Sequence, residues 1–176
     1  IKDLVRNVNT LKQGIEYEIV TSDMGIARVA GLAARIWPEI FTSILPDGQV
    51  EYMVDRYQSP KAIKEQISDG YIYAIIRSGG EDIGYTGFHN ESDRTFVSKI
   101  YLLPEYRGLG LSKRTIEFIK DQSGRNGLNS LYLTVNRENV RAYEAYLHSG
   151  FKVIEEVDTP IGNGYEMNDY VMEYRF

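Results

Sequence analysis

The sequence contains no cysteine among its 176 residues, and only two histidines and one tryptophan. Without cysteine there is no disulfide, no thiolate metal ligand and no thiol nucleophile. His89 and His148 are far apart in the sequence, so we expect no histidine-rich metal site and predict no metal. No apolar run approaches the roughly 20 residues of a membrane-spanning helix, and no signal peptide is visible.

Positive charge is also scarce, because 20 Lys and Arg face 25 Asp and Glu, which gives a net charge of −5. This balance does not favour nucleic-acid binding, which relies on a basic surface. We therefore expect no nucleic-acid partner, no membrane association and a cytoplasmic location. No repeat or linker divides the chain, so residues 1–176 are predicted to form a single domain. The 14 tyrosines are typical of a partly solvated cleft, where a ring packs against apolar groups while its hydroxyl finds a hydrogen-bonding partner.

Apolar periodicity predicts a strand followed by three helices in the first part of the chain. The segment IEYEIVT alternates, and Ser22 can cap a helix through MGIARVAGLAARIW. Pro38 and Pro46 are predicted to bracket a break. A second helix should follow at 50–57, and Ser59 with Pro60 should start a third that Gly70 ends.

The period then changes, and six further strands are predicted. YIYAIIRS and DIGYTGFHN form a hairpin, and TFVSKIYLLP follows. The segment from Phe96 to Val135 is a strand–helix–strand unit, so its two strands should be parallel. A helix from about Glu138 to Ser149 and two final strands complete the chain. The pattern predicts a mixed sheet with helices on both faces.

A glycine-rich corner, YLLPEYRGLGLSKRT, joins a strand to a helix at residues 101–115. Gly108 and Gly110 let the backbone approach an anion closely, and the first amides of the helix have no intrahelical partners. With Arg107 as a nearby cation, these features indicate a seat for a phosphate or pyrophosphate. A tight turn without a ligand is the alternative. The P-loop and dinucleotide patterns both fail around Lys113.

Two motifs resemble those of the GNAT superfamily of N-acetyltransferases. PEYRGLGLS resembles its acetyl-CoA signature Q/R-x-x-G-x-G/A, with Ser112 where a glycine or alanine is usual. NVRAYEAYLHSGF resembles its second motif, N-x-x-A-x-x-x-Y-x-x-x-G-F, and a strand lies between the two. YMVDRYQSPKAIKEQIS and GYEMNDYVMEYRF are more weakly similar to the PaiA-like spermidine/spermine acetyltransferases, which suggests a substrate class.

The resemblance implies an α/β fold with a mixed, mostly antiparallel sheet of about seven strands, a central splayed parallel pair, and helices on both faces. It implies an enzyme that moves the acetyl group of acetyl-CoA, its co-substrate, directly to a primary amine through a tetrahedral intermediate. A small amine or polyamine is the first candidate. Alternatives are acetylation of a protein N-terminus or lysine, and a CoA-binding sensor without turnover. The tyrosine-rich last strand is a candidate surface for a homodimer.

The same resemblance assigns site residues. The pantetheine arm should pair with the backbone of residues 100–103, and the pyrophosphate should lie on the amides of residues 109–112. An amide at Leu102 or Leu103 would donate to the oxyanion, and Tyr146 would be the acid that protonates the thiolate. The cofactor-binding set is Ile100, Leu102, Leu103, Arg107, Gly108, Leu109, Gly110, Leu111, Ser112 and Asn139.

The general base is left open by the residues. Many relatives use a glutamate on the strand before the signature, where this chain has Ser98 and Lys99, neither a good base. The chemical candidates are Glu51, Asp55, His89 and Asp169, and a water chain without a dedicated base is the alternative.

The acceptor site is expected between Trp37 and Tyr57 and at the Gly162–Asn163–Gly164 loop. Tyr52, Tyr57, Glu51 and Asp55 are candidates for holding an alkylammonium group. The alternative for this segment is a helix with one solvated charged face.

Overall fold

The structure is a computed structural model that describes Lys2 and residues 14–176. Its strands are β1 (Glu16–Ile19), β2 (Ile72–Ser78), β3 (Glu81–Asn90), β4 (Thr95–Leu102), β5 (Ser130–Asn136), β6 (Lys152–Gly162) and β7 (Tyr165–Arg175). Its helices are α1 (Asp23–Phe41), α2 (Gln49–Gln58), α3 (Pro60–Ser68), α4 (Leu111–Arg125) and α5 (Val140–His148), with a short 3₁₀ turn at Pro104–Tyr106. Within the described part of the chain, no helix is long and apolar enough to cross a membrane.

The seven strands form one sheet in the order β1-β2-β3-β4-β5-β7-β6. Neighbouring strands are antiparallel except for β4 and β5, which are parallel. The predicted strand–helix–strand unit accounts for this pair, because α4 carries the chain from one end of the sheet to the other. The predicted mixed, mostly antiparallel sheet is therefore confirmed.

Two apolar clusters cover the two faces of the sheet. The larger joins α1, α2 and α3 to β2 and β3, with Trp37 and Ile63 among its buried side chains. The second lies beneath α4 and α5 and takes alternate residues of β5, namely Leu131, Leu133 and Val135. Because side chains alternate along a strand, the intervening β5 residues point to the side of α1–α3.

Helix α1 does not break at Pro38 as the sequence predicted, but continues to Phe41. Proline removes one backbone donor and normally disfavours a helix interior. Here Trp37 and Phe41 are buried on either side of it, at 3% and 7% exposure, and Thr42 donates to the Pro38 carbonyl at 3.1 Å. Packing of the two aromatic rings therefore outweighs the local preference.

A chain of buried hydrogen bonds ties the three helices to the sheet. Trp37 Nε1 donates to the Tyr85 hydroxyl at 2.9 Å, and that hydroxyl donates to Gln58 Oε1 at 2.6 Å. Gln58 Nε2 then donates to the Tyr73 hydroxyl at 3.2 Å, which donates to Gln66 Oε1 at 2.5 Å. We call these five residues the buried hydrogen-bond chain. It fixes α1, α2 and α3 against β2 and β3, and so fixes one wall of the site described next.

Candidate active site

A cleft opens at the centre of the sheet, where β4 and β5 separate. The register of these two strands contains just two pairs, Thr95 with Leu131 and Phe96 with Tyr132. Beyond them the strands diverge and enclose a cleft of about 860 Å³. The predicted splaying of the central parallel pair is confirmed, and we call this space the central cleft.

A bulge in β4 contributes to the divergence. Gly87 on β3 pairs with Lys99, but the next β3 residue, Phe88, pairs with Val97, so Ser98 is an extra residue. A bulge bends its strand and increases the local twist. The bulge lies two residues after Phe96, the last β4 residue that pairs with β5, which is where the two strands begin to diverge. The sequence pattern did not predict it.

The backbone of β4 beyond the bulge has one edge on β3 and one edge on the cleft. The Leu103 amide donates to the Ile83 carbonyl at 2.9 Å. Because successive amides of a strand point to opposite sides, the Leu102 amide is directed to the edge away from β3. Of the two amides expected to serve an oxyanion, Leu103 is thus used within the sheet and Leu102 is left for the cleft.

The glycine corner follows β4 as the sequence predicted. Gly108 and Gly110 both have φ of +76°, a conformation that side chains other than glycine rarely adopt. A Cβ atom at either position would meet nothing within 4 Å, so the space beside the corner is open. Gly110 is the N-cap of α4 without a side-chain capping bond, and the first helix amides, at residues 111–113, therefore have no intrahelical acceptor. These amides are therefore available to bind an anionic ligand at the corner.

Arg107 reaches back over the end of β4. Its Nε and Nη2 donate to the Leu102 carbonyl at 3.1 and 2.9 Å, and its guanidinium pairs with Glu39 of α1, with Nη2 2.7 Å from Oε2. Arg107 is thus held in place beside the central cleft, but its charge is shared with Glu39. A pyrophosphate at the corner would compete with that carboxylate.

The structure distributes the predicted cofactor-binding residues between the cleft and its rim. Those that line the central cleft are Ile100, Leu102, Arg107, Ser112 and Asn139. The corner residues Gly108, Leu109, Gly110 and Leu111 lie outside the lining, and the Leu111 side chain is buried at 1% exposure. This division agrees with an elongated ligand whose arm enters the cleft and whose phosphates stay at the corner.

Helix α5 forms the other wall of the cleft. Its N-cap is Asn139, whose Oδ1 accepts from the Ala142 amide at 3.4 Å. One turn further, the Tyr143 ring lies 5.0 Å from that of Tyr170 on β7. The Tyr146 ring packs edge-on against Phe151 at 5.7 Å. These contacts set the rotation of α5 over the sheet.

Tyr146 lines the central cleft. Among the residues that the structure describes, none forms a hydrogen bond with its hydroxyl. Burial raises the pKa of Tyr146 to about 12, so the group keeps its proton at neutral pH and can donate it. Tyr146 and Asp169 also raise the pKa of Tyr101 on β4, in addition to the larger effect of burial. The three side chains therefore lie within electrostatic reach of each other.

Asp169 is the most deeply buried charged residue of the cleft, at 4% exposure. It lies on β7, opposite Asn136 of β5 and Val157 of β6. Within the described range no hydrogen bond reaches its carboxylate, although its backbone carbonyl accepts from Arg137 at 3.4 Å. Burial raises the pKa of Asp169 to about 6, with a smaller opposing effect of Arg137. In the sequence, the only indication of this site was an aspartate within a strand of alternating apolar residues.

Lys99 is a further ionisable group of the cleft, at the β4 bulge. Its amine donates to the Ser98 hydroxyl, and burial lowers the pKa of Lys99 to about 8. Sequence reasoning dismissed this lysine as a base because an ordinary lysine is protonated at neutral pH. We call Lys99, Tyr101, Tyr146 and Asp169 the cleft group.

The acceptor residues expected on α2 are arranged differently from the prediction. Glu51 and Asp55 are exposed and do not line the cleft, whereas Tyr57 does. The guanidinium of Arg56 lies over the rings of Tyr52 and Tyr57, at 5.8 and 5.6 Å from their centroids. These ring faces already hold a cation, so they are not free for an alkylammonium group.

Helix α2 is instead tied to the hairpin of β6 and β7, near the Gly162–Asn163–Gly164 loop. The Tyr52 hydroxyl and Arg56 Nη1 donate to the Ile161 carbonyl at 2.7 and 2.6 Å. Gln49 Nε2 donates to the Glu166 carbonyl at 2.8 Å. These bonds fix the position of α2 relative to the β6–β7 hairpin.

Comparison with known protein families agrees with this geometry. The model of the acetyltransferase (GNAT) family matches residues 36–151, which span β4, the glycine corner and α5. An uncharacterized N-acetyltransferase of Mycobacterium bovis is 30% identical over 146 residues, covering 82% of this chain and 93% of that protein.

Solved structures have the same fold. The PaiA N-acetyltransferase of Thermoplasma acidophilum in complex with coenzyme A aligns with a TM-score of 0.76 and 19% identity, over 93% of this chain and 99% of that one. A variant of the spermidine N-acetyltransferase SpeG of Vibrio cholerae aligns with a TM-score of 0.63 and 15% identity, over 93% and 94% of the two chains.

Proposed function

The chain belongs to the GNAT acetyltransferase family and is an acetyl-CoA-dependent N-acetyltransferase, and from this premise we propose that its acceptor is the primary amine of a small molecule, with polyamines first. The similarity in fold to a spermidine N-acetyltransferase supports the choice of polyamines.

The acidic lining of the central cleft is the observation that carries this proposal. Three carboxylates line it, those of Glu39, Asp69 and Asp169. Glu39 is paired with Arg107, and the other two would attract a cationic amine. A cleft of about 860 Å³ has a size that suits a small molecule.

The reaction requires an acid, an oxyanion donor and a seat for the phosphates. Tyr146 is the acid in this proposal, because it lines the cleft and its hydroxyl holds its proton at neutral pH. The Leu102 amide is the oxyanion donor, since it lies on the edge of β4 away from β3. The amides at residues 111–113 receive the pyrophosphate, as helix N-termini do.

The test of the acceptor is thiol release from acetyl-CoA with a panel of spermidine, spermine, monoamines, a lysine-containing peptide and a peptide with a free N-terminus. We expect release with spermidine or a small amine and none above background with either peptide. Release with the peptides alone would contradict the proposal. Acetyl-CoA binding without release for any acceptor would contradict enzymatic activity and favour a sensor.

The acid is tested with Tyr146→Phe, against Tyr143→Phe one turn earlier on the same helix as the matched control. We expect kcat to fall about 100-fold in the first variant and to stay within about twofold in the second. Affinity for acetyl-CoA, measured by calorimetry, should change little in either, because neither hydroxyl is assigned to binding. An unchanged kcat in Tyr146→Phe would remove this residue from the mechanism.

A further inference from the structure

The general base of the reaction can be assigned from the placement of one carboxylate. We propose that Asp169 accepts the proton that the acceptor ammonium must lose before its nitrogen can attack. This inference rests on the proposed function, since it needs an amine acceptor, and it names the residue that the sequence left open.

The position of Asp169 is the first support. It lines the central cleft, and its pairing with Asn136 places it near the end of β5, beside the start of α5. Its influence on Tyr101 is shared with Tyr146, so the carboxylate and the proposed acid lie near the same point of the cleft. An amine beside Asp169 would therefore lie close to the proposed acid, as acyl transfer requires.

The surroundings of Asp169 are the second support. A carboxylate at 4% exposure without a hydrogen-bond donor among the described residues keeps little contact with water, which is costly for an ionised group. An ammonium group in the cleft would supply both the missing donor and the opposite charge. Arg137, from the turn before α5, lowers the pKa of Asp169, and Asp158 on β6 raises it. Neither donates to the carboxylate, so it is available to a ligand.

The other candidate bases are less well placed. Glu51 and Asp55 are exposed on α2 and lie outside the cleft lining. His89 stacks on Tyr71 with 4.8 Å between ring centroids and is likewise absent from the lining. Lys99 lines the cleft but, with its pKa near 8, carries a positive charge at neutral pH. A positive group there would repel the ammonium that Asp169 attracts.

The proton and bond changes balance without a further reactant. Asp169 takes one proton from the ammonium nitrogen, and the neutral nitrogen forms a bond to the thioester carbon. The second proton that this nitrogen must lose to become an amide passes from the tetrahedral intermediate to water. The carbon–sulfur bond then breaks, and the departing sulfur takes the Tyr146 proton. Asp169 afterwards gives up a proton, which restores Tyr146 directly or through water. The products are the N-acetylated amine, CoA thiol and one proton released to the solvent.

The test is the pH dependence of kcat/KM for Asp169→Asn, with the best amine of the panel. The wild-type value should fall below about pH 6, where Asp169 becomes protonated. In Asp169→Asn the acidic limb should disappear and kcat/KM should fall about 100-fold. Its affinity for acetyl-CoA should be unchanged. Asp169→Glu should keep the limb at a reduced rate. Asp158→Asn, which alters an exposed neighbouring carboxylate, is the matched control. It should keep the rate and retain an acidic limb, displaced to lower pH because Asp158 raises the pKa of Asp169.

An acceptor that is neutral at the assay pH, such as a fluorinated primary amine, sharpens the result. Because such an amine has no proton to lose before attack, the deficit of Asp169→Asn should shrink from about 100-fold to less than about fivefold. An active wild type whose acidic limb survives in Asp169→Asn would overturn the assignment and leave the function standing. A wild type that acetylates no amine would overturn both.

Discussion

The buried hydrogen-bond chain and the cleft group contain similar side chains, yet their polar atoms have opposite surroundings. In the chain, Tyr73 and Tyr85 each have two hydrogen-bonding partners, supplied by Trp37 and the glutamines. In the cleft group, the Tyr146 hydroxyl and the Asp169 carboxylate have none among the described residues. The two sets meet where the Tyr101 ring packs against the Tyr85 ring.

The difference separates structural polar groups from groups kept for a ligand. Buried polar atoms in native proteins are nearly always paired, because an unpaired one costs about 1–3 kcal/mol. A region that leaves several unpaired lowers the stability of the fold, and such sites are commonly functional. On this view the buried hydrogen-bond chain holds the walls of the cleft in place, while the polar atoms of the cleft group are left unpaired so that they can bind the substrates.

The largest expected effect is on the stability of Asp169→Asn. The pKa of Asp169 is raised from 3.8 to about 6, so the unfolded state ionises first as pH rises. Stability from this group is therefore complete below pH 4 and is lost by pH 6, a loss of up to about 3 kcal/mol. Asparagine does not ionise, so the free energy of unfolding at pH 7 should increase by up to that amount.

Urea denaturation of wild type and Asp169→Asn at several pH values between 5 and 7.5 measures this gain. The difference between the two proteins should grow with pH and level off above about 6.5. Together with the loss of activity expected above, this gain in stability would show that Asp169 lowers the stability of the fold and is retained for function. A variant less stable than wild type at pH 7 would mean that the carboxylate is satisfied after all.

Tyr85→Phe should have the opposite effect, a loss of about 2 kcal/mol in the free energy of unfolding. The change leaves Trp37 Nε1 and Gln58 Oε1 buried without a partner, and each such atom costs about 1–3 kcal/mol before relaxation. Acetyl transfer by the folded enzyme should be little changed, since Tyr85 is not part of the cleft lining.

Tyr101→Phe is the matched comparison, because Tyr101 packs against Tyr85 with 5.7 Å between ring centroids. Its hydroxyl forms no hydrogen bond with a described residue, so thermal unfolding should show a change of less than about 0.5 kcal/mol. Equal losses in Tyr85→Phe and Tyr101→Phe would erase the distinction between the two regions.

Much of the fold was predictable from the sequence, because local signals and packing agree there. The alternation of Leu131, Leu133 and Val135 identified a strand with one buried face, and the crossover through α4 fixed its direction. Pro38 misled because aromatic packing on both sides of it outweighs its local effect. The β4 bulge at Ser98 was missed since an extra residue depends on the partner strand, which periodicity within one strand does not reveal.

The site was predictable where a motif sets the backbone and not where distant strands meet. Gly108 and Gly110 have positive φ at the strand-to-helix corner that the sequence predicted. In contrast, nothing local relates Lys99 on β4 to Asp169 on β7. Their burial follows from the splaying of β4 and β5, and it changes their pKa values in ways that residue type alone does not indicate.

Lys99→Met is expected to have a smaller effect than Tyr85→Phe, and the effect is on the pH dependence of stability. Burial lowers the pKa of Lys99 to about 8, so the unfolded state holds its proton to higher pH. Wild-type stability should consequently rise between pH 8 and 9.5, by about 1 kcal/mol after allowance for partial exposure. Methionine, similar in length and uncharged, should abolish this rise.

Tyr101 and Tyr146 oppose this rise in stability only at higher pH. Their pKa values are raised in the folded state, so they lower its stability only once tyrosines of the unfolded state ionise, near pH 10. Guanidinium denaturation at pH 8, 8.75 and 9.5 therefore isolates the lysine. A slope that persists in Lys99→Met would assign the effect to another group. Its loss would show that the cleft disfavours a positive charge at β4, and hence that an acceptor ammonium is drawn to the Asp169 side.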